Sequence, residues 1–172
     1  MSTTHTIIQS PIGELILVAE DATLSGVYFP NHWTRPDRAV FGERSERRLE
    51  QAEEQLAEFF AGERTSFELP TCARGNTFQR QVWDLIDQIP YGQTTTYGQL
   101  AGTLGNLTLA RKVGNAVAHN PLSVIVPCHR VVGKDGKLTG YAGGLQRKRF
   151  LLDLETPPKT SADPAPPLFY SE

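Results

Sequence analysis

The chain has 172 residues, 39 % of them hydrophobic, and a formal net charge of −2, which predicts one domain or two small domains that share an interface. It contains no apolar run approaching the roughly 20 residues of a membrane span, and its start does not read as a secretory signal. We therefore expect a cytoplasmic protein without a membrane partner. Its two cysteines, Cys72 and Cys128, are then expected to be reduced thiols, and without a CxxC pair they predict no metal site.

The small net charge hides a gradient along the chain. Residues 1–70 contain 6 Lys and Arg against 12 Asp and Glu, whereas residues 71–172 contain 11 against 7. Within residues 111–149, eight basic residues are accompanied by a single acidic one, Asp135. The net charge argues against indiscriminate binding to nucleic acid. The basic stretch fits either a surface that meets a polyanion or an ordinary solvated face.

The first 30 residues predict strands. Three short segments, "HTIIQS", "GELILVAE" and "LSGVYF", are rich in apolar and β-branched residues, and "EDAT" is typical of a hairpin turn. Residues 43–61 place apolar side chains at helical spacing and stop at Gly62, after which "TSFELP" is expected to return a strand to the sheet. Residues 1–72 are therefore predicted to form a small sheet-plus-helix domain that supports the rest and contains no catalytic constellation.

Residues 73–156 are predicted to form a mostly helical second domain, which gives an α+β chain overall. One helix is expected over 77–89 after a capping-box-like Asn76, a short one after Thr96, and a third from about Asn106. The second and third are joined by a tight glycine-containing turn and resemble a helix-turn-helix. Helical hairpins serve more often as packing units than as readers of DNA, so this signal is weak by itself.

The end of the chain has two parts. "GYAGGLQRKRFLLDLE" runs from a glycine-rich loop into a last helix that ends at Glu155. Residues 157–172 contain five prolines and are expected to be disordered.

The segment "VIVPCHRVVG", residues 124–133, contains the strongest chemical signal. Residues 123–132 are predicted to be extended, and the motif places Cys128 beside His129 and Arg130, two candidates to lower the pKa of the thiol. Adjacent side chains of an extended chain point to opposite faces. Either the chain turns sharply at Pro127, or a water moves the proton between Cys128 and His129.

An acidic group is also needed to hold the imidazole of His129. Glu155 is one of the few carboxylates in the second half of the chain that could do this. The adjacency of a cysteine and a histidine is not diagnostic, however. A core cysteine beside a surface histidine remains an alternative on these residues alone.

The motif "PCHRVVG" resembles the active-site signature of the O6-alkylguanine-DNA alkyltransferases, the methylated-DNA–protein-cysteine methyltransferases. Further matches follow in family order: "FQRQVWDLIDQIPYGQTTTYGQLA", "ARKVGNA", "NP" and "GYAGGLQRKRFLLDLE". This similarity covers residues 76–155, and "SPIGELILVA" is similar to the opening strands of the family.

The resemblance implies a role for each matching residue. Cys128 would accept the alkyl group, His129 would act as its base through a water, and Glu155 would orient His129. Asn120 would brace the reactive segment by hydrogen bonds. Tyr97 would donate to the guanine ring and help to neutralise the charge that builds on it.

The resemblance also implies a base pocket and a DNA-binding surface. The pocket residues are Val131, Tyr141, Ala142 and Gly143. The DNA-binding residues are Thr96, Arg111, Lys112, Gly114 and Ala118. Arg111 would enter the base stack where the target nucleotide leaves. Gly114 and Ala118 would allow close backbone approach, although close helix packing explains such small residues equally well.

The function implied is DNA repair by direct, stoichiometric transfer of an alkyl group from O6-alkylguanine to Cys128, with O4-alkylthymine as a minor substrate. The modified nucleotide has to leave the stack to be reached, and the thioether product has no easy hydrolytic exit. No cofactor is expected. The expected partner is double-stranded DNA containing O6-alkylguanine, bound by a monomer, with cooperativity along DNA left open.

Three alternatives belong to other classes. A non-catalytic sensor of alkylated DNA would replace the cysteine that "PCHR" retains. A transcription regulator would ordinarily require a further domain. A cysteine hydrolase would need an oxyanion hole and a base in direct contact with the sulfur.

Overall fold

The computed structural model describes residues 2–32, 34–45 and 49–156, which form an α+β structure with an N-terminal sheet and a mainly helical second half. This confirms the predicted class of fold. None of the helices in the described ranges is long and apolar enough to cross a membrane. The predicted proline-rich tail, residues 157–172, lies outside the described residues.

The N-terminal sheet has four strands in the order β3-β2-β1-β4. Strand β1 (Thr3–Ser10) pairs antiparallel with β2 (Gly13–Glu20), and β2 pairs antiparallel with β3 (Thr23–Tyr28). The predicted strands and the turn at "EDAT" are confirmed. A short β4 (Glu43–Arg44) pairs parallel with β1.

Two predictions for this half are wrong. The helix expected over 43–61 is shorter, because α1 spans Glu50–Phe60 and the start of the predicted helix pairs with the sheet as β4. The segment 65–70 forms no strand. Pairing there is reduced to a single bridge between Leu24 and Thr71.

Helix α1 packs its apolar side against β1. The side chains predicted to face the core are buried: Leu49, Ala52, Leu56 and Phe59. Gly62 follows with a φ of +79°, a conformation that glycine adopts without strain. The helix therefore ends where the sequence predicts.

Residues 73–156 contain four α-helices. These are α2 (Thr77–Asp87), α3 (Tyr97–Thr103), α4 (Ala110–Ala118) and α5 (Leu145–Glu155). Helix α4 packs against both α2 and α3. All four were predicted, with boundaries that differ by only a few residues.

Side-chain caps fix the starts of these helices. Asn76 with Gln79 and Thr96 with Gln99 each form a complete capping box, as predicted. The Asn106 side chain accepts from the Thr108 N–H and begins a 3-10 turn that leads into α4. Local sequence thus determines where α2 and α3 begin, and where the turn before α4 begins.

The two halves share one hydrophobic core, and β3 joins them directly. The Val27 N–H donates to the Pro121 carbonyl at 2.8 Å, and the Ser123 N–H donates to the Val27 carbonyl at 3.3 Å. The N-terminal sheet therefore supports the segment that leads to Cys128. The division of the chain at residue 72 stays a prediction.

The segment around Cys128 differs from the extended chain that was predicted. The backbone turns at Pro127 (φ −79°, ψ 65°), and residues Cys128–Arg130 form a 3-10 turn. Only β6 (Val131–Val132) is extended, and it pairs parallel with β5 (Thr95–Thr96). The chain therefore turns sharply at Pro127, but this turn does not bond His129 to the Cys128 sulfur, because Nδ1 of His129 has no hydrogen-bond partner among the described residues.

Candidate active site

The backbone before Cys128 is a tight loop built around Asn120. The Asn120 amide donates to the Val126 carbonyl at 2.9 Å, and its oxygen accepts from the Leu122 N–H at 3.0 Å. Val124 has a φ of +71°, which is strained for a β-branched residue. Hydrogen bonds from one buried side chain therefore hold a loop that has no regular secondary structure.

The Cys128 thiol is buried, with 4 % of the residue exposed. Burial raises its pKa, because the thiolate loses its hydration. Asn120, Lys148 and Tyr141 oppose this shift. The Tyr141 hydroxyl is near enough to influence the thiol, although its buried oxygen has no protein partner in hydrogen-bonding geometry. The thiolate therefore needs a base to form.

Arg130 does not act on the thiol as the sequence suggested. Its Nε and Nη2 donate to the two carboxylate oxygens of Glu155 at 2.8 and 2.7 Å, and its Nη1 donates to the Ile89 carbonyl at 2.6 Å. The guanidinium is thus held in a two-point ion pair away from Cys128. Its charge fixes the state of Glu155.

His129 and Glu155 form a buried pair. Nε2 of His129 lies 2.7 Å from Oε2 of Glu155. Burial alone would raise the pKa of Glu155, but the hydrogen bonds and charges of His129 and Arg130 lower it to about 2. Burial lowers the pKa of His129, although Glu155 opposes that shift. The resting pair is therefore a carboxylate and a neutral imidazole.

This charge state determines which nitrogen of the His129 ring carries the proton. A carboxylate accepts only, so Nε2 of the neutral His129 ring donates to Glu155 and Nδ1 carries the lone pair. Nδ1 is buried and has no protein hydrogen-bond partner, so it is not bonded to the Cys128 sulfur. Nδ1 is therefore the ring nitrogen of His129 that is left to accept a proton.

Lys148 is a further charged group of the site that the sequence did not suggest. It is fully buried, and its Nζ donates to the carbonyls of Thr139 and Gly140 at 2.9 and 3.1 Å. Burial lowers its pKa to about 8, while the charge of Cys128 opposes that shift. The sequence contained one indication that Lys148 is buried. It is spaced from Leu151 and Glu155 as i, i+3 and i+7, positions that share one face of a helix.

A pocket of about 440 Å³ lies between α4 and residues 139–142. Six of the predicted site residues line it: Tyr97, Arg111, Gly114, Ala118, Tyr141 and Ala142. A Cβ on Gly114 would lie 3.8 Å from the Tyr97 ring, so α3 and α4 approach closely at this point. The fold therefore brings predicted DNA-binding and pocket residues together.

The other predicted residues, Cys128 among them, are not among the residues that line this pocket. Val131 is fully buried in β6, and Thr96 caps α3. The Lys112 ammonium lies 4.2 Å from the centre of the Phe78 ring on α2. Gly143 packs so closely beneath Phe29 that an added Cβ would come within 2.4 Å of that ring.

Comparison with known proteins supplies the class of the site. Residues 77–157 match the 6-O-methylguanine DNA methyltransferase, DNA binding domain, and residues 4–73 match the 6-O-methylguanine DNA methyltransferase, ribonuclease-like domain. The chain belongs to the 6-O-methylguanine DNA methyltransferase family. The family resemblance seen in the sequence is confirmed.

Individual relatives match along most of their length. The methylated-DNA–protein-cysteine methyltransferase of Mycolicibacterium paratuberculosis is 46 % identical over 148 residues, which cover 86 % of this chain and 89 % of that protein. The enzyme of the same name from Methanosarcina acetivorans is 44 % identical over 154 residues, covering 88 % and 97 %. The structure of Mycobacterium tuberculosis OGT in complex with DNA matches with a TM-score of 0.81 and 41 % identity, over 88 % of this chain and 92 % of that one.

Proposed function

We propose that this protein repairs DNA by transferring the alkyl group of O6-alkylguanine to Cys128 in one stoichiometric step that restores guanine and consumes the protein. The observation that supports it best is the buried series Cys128, His129 and Glu155, with an unpaired Nδ1 as base. Relatives up to 46 % identical are named methylated-DNA–protein-cysteine methyltransferases, and one matching structure, M. tuberculosis OGT, was solved in complex with DNA.

The chemical step is a displacement at carbon. The Cys128 proton passes through a water to Nδ1 of His129, and the sulfur attacks the alkyl carbon. The bond between that carbon and O6 breaks, its electron pair goes to guanine, and guanine takes up a proton while the His129 imidazolium releases the proton that it took from Cys128. Donation from the Tyr97 hydroxyl stabilises the leaving base, and the charge of Lys148 favours the thiolate. No cofactor takes part.

The pocket between α4 and residues 139–142 receives the alkylated base after it leaves the duplex. Tyr141 and Ala142 form one wall, and the carbonyls of Cys128 and Val131 accept from the exocyclic amine. Rotation of a nucleotide out of the stack costs a few kcal/mol, and less for a lesion that pairs badly. Arg111, at the pocket edge, fills the gap in the stack and offsets part of that cost.

Helices α3 and α4 act as a helix-turn-helix that lies in the minor groove. Repair has to tolerate any sequence, which suits phosphate contacts and a degenerate groove. Thr96, Lys112, Gly114 and Ala118 belong to this surface. Residues 73–156 would then bind DNA and perform the transfer, supported by residues 1–72.

The structure gives little support to the two nearest alternatives. A sensor that only binds alkylated DNA has no need of Cys128, whereas this chain buries the thiol beside a base system. A cysteine hydrolase needs a base bonded to the sulfur, and Nδ1 of His129 makes no such bond.

The test is mass spectrometry after mixing the protein with a duplex that contains one O6-methylguanine. We expect one methyl group per protein molecule, located on the peptide that contains Cys128. Cys128→Ser should abolish the gain and retain lesion-dependent binding, while the matched control Cys72→Ser should react like the wild type. Tight binding to the lesion without any methyl gain would leave a sensor and refute the proposal.

A further inference from the structure

Arg147 of α5 ties the pocket wall to the N-terminal sheet. Its Nε donates to the Ile12 carbonyl at 2.8 Å, and its Nη1 donates to the Gly143 carbonyl at 3.0 Å. Ile12 lies in the turn between β1 and β2, far from the site in sequence. Arg147 therefore joins the first hairpin of the chain to the loop that forms one side of the pocket.

Contacts with the Phe29 ring reinforce this link. The Arg147 guanidinium carbon lies 4.8 Å from the centre of the Phe29 ring, and the Phe29 ring lies 6.0 Å from the Tyr141 ring. Gly143 packs against the edge of Phe29 with no room for a side chain. Tyr141 thus packs against Phe29, which follows β3 of the sheet.

We propose that Arg147 is a positioning residue for alkyl transfer, which fixes the Tyr141–Gly143 wall against the N-terminal hairpin and so limits the size of the alkyl group accepted. This inference rests on the function proposed above. Arg147 itself does not line the pocket. It acts through Gly143 and Phe29 on the two residues, Tyr141 and Ala142, that do.

The chemistry of arginine explains why this residue type serves here. A guanidinium presents N–H groups in a rigid planar fork, so it can donate to two carbonyls at once while its face lies on an aromatic ring. A lysine ammonium keeps the charge but cannot reproduce that fork. Because displacement of a reacting group by about 1 Å can cost about 100-fold in rate, a wall held at two points matters to the transfer step.

The experiment compares two variants, Arg147→Leu and Arg147→Lys, with the matched control Gln146→Leu, which changes an exposed residue of the same helix. Single-turnover rates are measured at saturating duplex containing either O6-methylguanine or the bulkier O6-benzylguanine. We expect Arg147→Leu to slow methyl transfer about tenfold and benzyl transfer less, which lowers the methyl-to-benzyl ratio about threefold. Arg147→Lys should fall between, and Gln146→Leu should match the wild type.

The ratio separates positioning from simple stability, since loss of folded protein lowers the amount of both products equally and leaves the ratio of the two rate constants unchanged. An unchanged ratio in both variants overturns the inference, whatever the absolute rates. If Arg147→Leu does not fold, Arg147→Lys decides the matter, because it keeps the charge and the aliphatic stem. A wild-type protein that gains no methyl group overturns both proposals, whereas a reactive wild type with unaffected variants overturns only this one.

Discussion

The two halves of the molecule bury different kinds of polar side chain. Among the described residues, the N-terminal half buries Thr4, Thr6, His32 and Gln55. The second half buries Asn120, Ser123, His129, Arg130, Lys148 and Glu155. Burial lowers the pKa of His32 to about 4, so the first group is uncharged at neutral pH, whereas the second contains three formally charged residues.

This difference indicates where the choice of buried residues is explained by chemical function rather than by packing. Burying a charge is costly, and a buried ion pair often adds no more stability than apolar residues of the same volume. The N-terminal half obeys the rule and fills its core with aliphatic and aromatic side chains. Within the described part of the chain, the second half departs from the rule where Arg130, Glu155, His129 and Lys148 converge behind Cys128.

The largest effect should come from breaking that charged group. Arg130→Leu leaves the buried Glu155 carboxylate without its two-point partner, which we expect to lower the free energy of unfolding by about 3–5 kcal/mol. Urea denaturation measures it. The double variant Arg130→Leu/Glu155→Gln should recover part of the loss, because it also removes the uncompensated charge. A loss below about 1 kcal/mol would mean that the pair is not desolvated as the structure indicates.

A core substitution in the other half should affect stability and leave the reaction intact. Leu56 on α1 is fully buried, so Leu56→Ala should cost about 2–5 kcal/mol through lost contacts and a residual cavity. At a temperature where the variant is still folded, its single-turnover rate should equal that of the wild type. A slower reaction in fully folded protein would show that the N-terminal core shapes the site as a whole, beyond the contacts of Arg147 and Phe29.

The same contrast decides how much of the fold the sequence predicts. Strands β1 to β3 and the caps of α2 and α3 depend on neighbouring residues, and all were predicted. The start of α1 was wrong because Glu43 and Arg44 pair with β1, a contact between distant parts of the chain. Periodicity contains no information about such a pairing.

The site was less predictable than the fold. Residues 123–130 look extended in sequence, but side-chain hydrogen bonds from Asn120 bend them, and no local pattern reports those bonds. The sequence also did not predict the ion pair between Arg130 and Glu155, because that pair depends on how α5 packs against the 3-10 turn. Glu155 was named from the scarcity of carboxylates, and the structure places it against His129.

The charge state of His129 predicts the pH dependence of transfer. Burial lowers its pKa below the ordinary value of 6.5, so the neutral base persists at pH values where an exposed histidine is already protonated. Lys148 becomes charged below its pKa of about 8 and favours the thiolate, so the single-turnover rate should reach a plateau at about pH 7 and then fall about tenfold per unit once the imidazole is protonated.

Removing the carboxylate should move this profile in a known direction. Glu155 raises the pKa of His129, so Glu155→Gln should shift the acid limb to lower pH, besides slowing the reaction. Half-maximal rate at or above pH 6.5 in the wild type would contradict the assignment, because the resting imidazole would then be charged and Nδ1 would not be free to act as a base.

The smallest effect is expected for an ion pair in the N-terminal half. Arg64 donates to Glu58 at 2.8 Å, but 24 % and 35 % of these side chains remain exposed. Arg64→Leu should lower the free energy of unfolding by less than about 1 kcal/mol, because water already solvates both charges. Urea denaturation in low and high salt measures it, and added salt should shrink the difference further, whereas the loss from Arg130→Leu should hardly respond. If Arg64→Leu and Arg130→Leu lower the free energy of unfolding equally, the degree of burial does not distinguish the ion pairs of the two halves. The buried charges behind Cys128 would then not identify the reactive site.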